Sequence, residues 1–145
     1  MLPFRDGERG SSLVEFALVT VAALTLLFGV VEFGRALYTY HLVTDGARSG
    51  SRYAIVRGSA CSAPSCPATT TSIQTYVRGL APGIDPNALT VTTTWASAPG
   101  CSGGSNNGPG CVVTVQARYT FGFIVPLMPS FGLPMSSTSQ MVIAQ

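Results

Sequence analysis

Hydrophobic and polar positions split this chain into two unlike parts. Residues 13–31 are apolar apart from Thr20, Thr25 and a single charge, Glu15. A run of roughly 17–25 such residues is long enough to cross a bilayer as a helix. Beyond it the period stays helical: Phe33, Leu37, Tyr40, Val43 or Thr44, Ala47, Gly50 and Ala54 recur at helical spacing and form one apolar stripe. Arg35, Asp45, Arg48 and Arg52 fall mainly off that stripe. The stripe narrows from large to small side chains, which lets a second layer approach the helix backbone closely. A single helix over about residues 12–56 would measure roughly 65–70 Å. Gly29, Gly34, Gly46 and Gly50 each weaken it by up to roughly 1 kcal/mol, which leaves open a kink or break at 29–34 or 46–50. Gly58 is a stop signal.

From Ser59 onward the chain turns to Ser, Thr, Gly and Pro with short β-rich runs. Residues 71–80 predict a short helix with Ile73, Tyr76, Val77 and Leu80 on one face and Gly83 near its end. Residues 88–96 alternate and are rich in β-branched side chains, so they read as a strand. Residues 112–121 are the clearest strand, and 134–144 supply a third. Successive strands joined by a short loop suggest an antiparallel hairpin. The expected fold class is therefore α+β: a long N-terminal apolar helix packed on a small C-terminal antiparallel sheet, one face of which is buried against the second half of the helix. Residues 121–134, F-G-F-I-V-P-L-M-P-S-F-G-L-P, are strongly apolar with three prolines. Neither helix nor strand is expected to run through them. The segment reads either as a subunit or membrane-surface contact, or as a loop folded onto the core.

Composition narrows the setting. Hydrophobic residues make up 46% and charged residues 10%, against roughly a quarter charged in soluble domains. Such a charge-poor surface points to lipid or to other subunits. The net charge is +2, and the arginines are scattered instead of forming the basic stripe that displaces counterions from nucleic acid, so a nucleic-acid partner is not expected. Four cysteines, Cys61, Cys66, Cys101 and Cys111, all follow the apolar run. Neither spacing is that of a zinc hook. Proximity favours Cys61–Cys66 and Cys101–Cys111, but four cysteines allow three pairings and the sequence does not choose among them. Disulfides imply an oxidising compartment outside the cytoplasmic membrane; free or metal-binding thiols are the competing reading. Closing residues 101–111 with a disulfide would contribute on the order of 2–3 kcal/mol in the chain-entropy model. An outer part confined to residues 58–145 has a modest core, so staples and the helix matter to it.

Glu15 is the residue that demands an explanation. A carboxylate in a membrane span costs several kcal/mol and is kept by default for a function. A secretory signal peptide has a shorter apolar core and a small-residue exit, which residues 13–31 lack. A plain anchor helix fits the length but leaves Glu15 unexplained. The surrounding text, E-R-G-S-S-L-V-E-F-A-L-V, resembles the processing site of type IV pilins: a short polar leader ending in glycine, then a glutamate at the fifth position of the mature chain. On this resemblance residues 1–10 are a cytoplasmic leader, Gly10 and Ser11 flank the cleavage site, and residues 11–57 form the long helix with its span at about 13–31. Residues 58–145 are then an exported, disulfide-bearing β-rich domain. Cleavage would create an α-amino group on Ser11, and a neighbouring copy's Glu15 facing that amine would be compensated. The competing reading is a hydrated carboxylate near the lipid headgroups.

The resemblance sharpens along the helix. G-S-S-L-V-E-F-A-L-V, followed by D-G-A-R-S-G-S-R-Y-A, is similar to the TadE-like proteins, minor pilins or pseudopilins of tight-adherence (Tad/Flp) pilus systems. The tail V-T-V-Q-A-R-Y-T-F, the proline-rich turn and the final S-S-T-S-Q-M strand fit the same family. The likeness is strongest over residues 8–57 and weaker over about 112–142. It implies cutting by a prepilin peptidase and a role for Glu15 and Phe16 of the V-E-F motif in recruitment. The implied partners are other pilins and an inner-membrane assembly platform, and the implied location is the bacterial cytoplasmic membrane, single-pass, with the C-terminal domain outside. The first mature residue would be Ser11 where many type IV pilins have Phe, which leaves its N-methylation open.

No catalytic set accompanies these features. His41 is the sole histidine, and Asp45 and Asp85 have no carboxylate neighbours in sequence. No serine sits in a nucleophile elbow, and G-G-S-N-N-G lacks the lysine and helix of a phosphate loop. Trp95 and the tyrosines at 38, 40, 53, 76 and 119 read as packing residues. An enzyme is not expected, nor a metal or cofactor. Two further readings stay open: a pseudopilin of a type II-like secretion apparatus, and a bitopic envelope protein that never polymerises and presents a ligand-binding outer domain.

Overall fold

The computed structural model describes residues 7–102, 106–124 and 131–144, with residues 7–9 described by backbone alone. Helix α1 (Gly7–Ile55) is one α-helix of 49 residues. Its intervening glycines neither break it at 29–34 nor at 46–50. It begins upstream of the expected start near residue 12. Glu8 and Arg9 are good helix formers, and a lone Gly10 costs only about 1 kcal/mol, so nothing local ends the helix there. After Ile55 the chain turns, and Gly58 follows as expected.

Helix α2 (Thr70–Gly79) starts at the N-cap Thr69, whose hydroxyl accepts the Ser72 N–H while the Ser72 hydroxyl accepts the Thr69 N–H. This reciprocal pair satisfies two donors that the first turn otherwise leaves open. Ile73 and Val77 are fully buried, as the amphipathic pattern predicts. Tyr76 and Leu80 are exposed; Tyr76 stacks on Tyr53 of α1 with ring centroids 4.5 Å apart.

Three strands, β1 (Thr90–Ala96), β2 (Val112–Gly122) and β3 (Gly132–Val142), form one antiparallel sheet in the order β1-β2-β3. The register runs from Ala96↔Val112 at one end to Gly122↔Gly132 at the other. The α+β expectation, a long helix on a small antiparallel sheet, is met. The strands also enter the proline-rich segment from both sides, a correction to the sequence reading. β2 continues through Phe121 and Gly122, and β3 begins at Gly132 and contains Pro134 opposite Thr120. β3 is an edge strand, where a residue without an N–H can sit facing away from the ladder. Residues 125–130 of that segment lie outside the described residues.

The core lies between the sheet, α2 and the C-terminal half of α1, and is built from Val43, Ala47, Ala54, Ile73, Val77, Val113, Val115 and their neighbours. The small residues of α1 permit this contact. A Cβ on Gly50 would lie 2.8 Å from Val77 Cγ2 and 3.1 Å from Val115 Cγ1. The apolar stripe read from the sequence is correct from Val43 to Ala54 and wrong before it. Phe33, Leu37 and Tyr40 are exposed, and the buried positions are Glu32 and Thr39. Extending the helical period backward from Val43 gives Thr39, Ala36 and Glu32, one position earlier than the apolar series. One residue is about 100° around the helix, which turns the large apolar side chains off the sheet.

Candidate functional site

Three features of α1 carry the candidate chemistry. Towards its start, Gly10 and Ser11 lie within the continuous helix, and a Cβ on Gly10 would meet nothing within 4 Å. Ser11, Glu15 and Phe16 are all exposed. Ser11 and Glu15 are four residues apart, hence on one face a single turn from each other. Among the described residues Glu15 has no ion-pair partner. The other polar side chains of this half are satisfied internally: the Thr20 hydroxyl donates to the Phe16 carbonyl and the Thr25 hydroxyl to the Val21 carbonyl, each at 2.8 Å. Among the described residues Glu15 is therefore the polar side chain of the apolar half that has no partner. An 18-residue window of this helix is apolar enough to cross a membrane, and none of it is buried.

The second feature escaped the sequence reading. Glu32, directly after the apolar run, is only 8% exposed. Its Oε1 accepts the backbone N–H of Ile124 at 2.9 Å, and its Oε2 accepts from the Arg35 guanidinium at 2.7 Å. Arg35 in turn lies over the Phe121 ring, 5.2 Å from its centroid. One carboxylate thus ties the end of β2 to the point where α1 leaves its apolar half. Further along, the Ser51 and Ser139 hydroxyls meet at 2.8 Å, and the Ala144 N–H donates to the Ile55 carbonyl at 3.0 Å. A charge placed just past an apolar run, on the stripe projected back from Val43, was the available signal.

The third feature is a groove of about 1050 Å³ between α1 and the β2–β3 end of the sheet. Val21, Leu24 and Phe28 line the helix side, and Phe123, Leu133 and Met135 the sheet side. The exposed Phe33, Leu37 and Tyr40 belong to the same wall.

The cysteines pair as Cys61–Cys66 and Cys101–Cys111, with Cα–Cα distances of 5.8 and 4.3 Å. The first closes the loop after α1, beside Arg57, whose Nε donates to Ser65 Oγ at 3.2 Å. The second joins the two ends of the β1–β2 connection. There Gly110 adopts a φ of 80° and passes so close to the Gly100 carbonyl that a side chain would collide with it. His41 is exposed on α1. The structure does not bring the disulfides, His41 and Glu15 together: Glu15 is in the apolar half of α1, and the disulfides lie in the loops that follow its C-terminal end.

No curated protein and no solved structure matches this chain. The resemblance read in the sequence is nevertheless shown over α1: residues 10–52 match the family model described as TadE-like protein.

Proposed function

We propose that the chain is the precursor of a minor pilin or pseudopilin of a Tad-type pilus. A prepilin peptidase removes residues 1–10 after Gly10, and residues 13–31 hold the subunit in the cytoplasmic membrane until it joins other pilins at an inner-membrane assembly platform. The disulfide-stapled sheet faces the outside, and the subunit's task is assembly of the pilus and surface adhesion. It is not a catalyst in this reading. The observation that carries the proposal is Glu15: a carboxylate with no ion-pair partner among the described residues, on the exposed apolar half of a TadE-like helix. Leaving such a group alone in hydrocarbon costs several kcal/mol, and a protonated amine hydrogen-bonded to it offsets part of that cost.

The amine is the one released on Ser11 of a neighbouring subunit. Because Ser11 and Glu15 share a helix face one turn apart, two helices offset along their axes bring one's amine to the other's carboxylate. The pair fixes axial register as well as neutralising both charges. Glu15→Gln and Glu15→Ala test this in cells that carry the rest of the pilus system. Both variants insert in the membrane at normal levels and are missing from sheared pilus fractions. Normal incorporation of both variants would refute the role assigned to Glu15.

A further inference from the structure

We propose that the β2–β3 end of the sheet is a second membrane contact, with Ile124, Phe131 and Leu133 seated among lipid acyl chains at the sheet-side border of the bilayer. The inference rests on the proposed reading of residues 13–31 as a membrane span. Its starting point is the Glu32–Ile124 hydrogen bond, which holds the end of β2 level with the first residue after the apolar run.

The sheet runs alongside the helix for its whole length. Ser51 meets Ser139, which pairs with Val115, while Glu32 meets Ile124. From Ser51 back to Glu32 is about 28 Å of helix. From Val115 to Ile124 is about 30 Å of strand. The two axes are therefore nearly parallel, and the β2–β3 end points towards the N-terminal half of α1.

The chemistry of that end differs from the middle of the sheet. Along the middle of β3 the exposed side chains are Ser136, Thr138 and Gln140, and at the opposite end Val142 is 59% exposed. At the tip they are Ile124, Phe131 and Leu133, which are 71%, 64% and 38% exposed. After Arg118 the sequence contains no Asp, Glu, Lys, Arg or His, so the tip enters an apolar layer without desolvating a charge. The N–H of Ile124, which the ladder leaves unpaired beyond Gly122, is satisfied by Glu32, as a low-water environment requires. Arg35 stands one turn above Glu32 with its side chain 40% exposed, where its guanidinium can reach lipid phosphates.

The groove supplies the continuity. Its helix wall extends from Tyr40 down to Val21, and Val21 lies about 16 Å below Glu32, roughly half the thickness of a hydrocarbon core. Acyl chains that surround the span therefore continue upward into the groove and meet Phe123 and Leu133 on its other side.

The test uses the full chain, with a single environment-sensitive fluorophore on an introduced cysteine, in phosphatidylcholine vesicles with brominated acyl chains. The described structure has no free cysteine to compete for the label. Probes are placed by Ile124→Cys and Phe131→Cys at the tip, by Leu24→Cys in the span, and by Ala96→Cys at the far end of β1. Bromine near the headgroup quenches the tip probes several-fold more strongly than the Ala96 probe, and bromine near the chain terminus quenches them less. Should the tip probes behave like the Ala96 probe while the Leu24 probe is quenched, the span would stand and the tip contact would be overturned. An unquenched Leu24 probe would remove the span and this inference with it. Shielding of the tip that rises with the protein-to-lipid ratio would assign the surface to a second copy and also overturn the proposal.

Discussion

Removing the Glu32 carboxylate should release the end of the sheet without unfolding the core. Glu32 accepts two hydrogen bonds, from the Ile124 N–H at 2.9 Å and from Arg35 at 2.7 Å. A hydrogen bond to a charged group contributes about 1.5–3 kcal/mol. The Arg35 pair adds under about 1 kcal/mol because that side chain is half open to solvent. Glu32→Ala therefore destabilises the docked tip by about 2–3 kcal/mol, and 2 kcal/mol corresponds to a rise of about 30-fold in the detached population. Glu32→Gln keeps an acceptor for Ile124 and loses the charge, so its effect is nearer 1 kcal/mol, about fivefold. Amide hydrogen exchange on the full chain in detergent micelles reads this directly. The Ile124 amide accelerates by these factors, while the Val115 amide in the central strand stays protected. Unchanged exchange at Ile124 in Glu32→Ala would refute the clamp, and equal acceleration at Val115 would show the carboxylate acting on global stability instead.

Other outcomes follow from the same packing. Gly50→Ala places a methyl 2.8 Å from Val77 Cγ2; overpacking of about 1–3 kcal/mol outweighs a helix-propensity gain of up to about 1 kcal/mol, so the Tm falls. Gly34→Ala meets nothing within 4 Å and raises the Tm through about 0.5–1 kcal/mol of propensity; thermal melts that move both variants the same way would contradict the close approach at Gly50. Replacing Cys101 and Cys111 together by Ser costs about 2–3 kcal/mol from loop entropy, measured as a lower denaturant midpoint with a slope that is not reduced. Gly10→Ala is silent in thermal melts beyond a small helix gain, because no neighbour crowds that position. It nevertheless blocks leader removal in cells, visible as a mass increase on immunoblot or mass spectrometry; normal processing of this variant would place recognition elsewhere.

The parts of the fold that the sequence reveals are those fixed by local pattern. The V-T-V-Q-A run of β2, the β-branched alternation of β1 and the Ile73/Val77 face of α2 each declare a periodicity that burial then follows. The helix stripe shows where this logic stops. Between Val43 and Ala54 every position of the apolar stripe is buried, with Ser51 beside it, because small side chains let the sheet pack closely. Between Glu32 and Tyr40 apolar and buried positions part, and the position facing the sheet is a carboxylate whose value depends on a backbone N–H 92 residues away. No local pattern encodes that partner. The strand ends were likewise obscured: the prolines of residues 121–134 forbid a central strand, yet β3 is an edge, where Pro134 is tolerated. Cysteine proximity pointed to the observed pairs, but only the fold, which brings Cys61 to Cys66 and Cys101 to Cys111, selects among the three connectivities. Glu15 was legible from sequence because its oddity is local, a lone charge in an apolar run.

The intact mass of the protein isolated from cells that carry its native pilus system tests the Glu15 pairing most directly. An ion pair between Glu15 and a neighbour's terminal amine requires that amine to sit on Ser11. The expected mass is lower than that of the full sequence by residues 1–10, with or without an N-methyl group. A protein that keeps its first ten residues while its cells assemble pili would contradict that pairing.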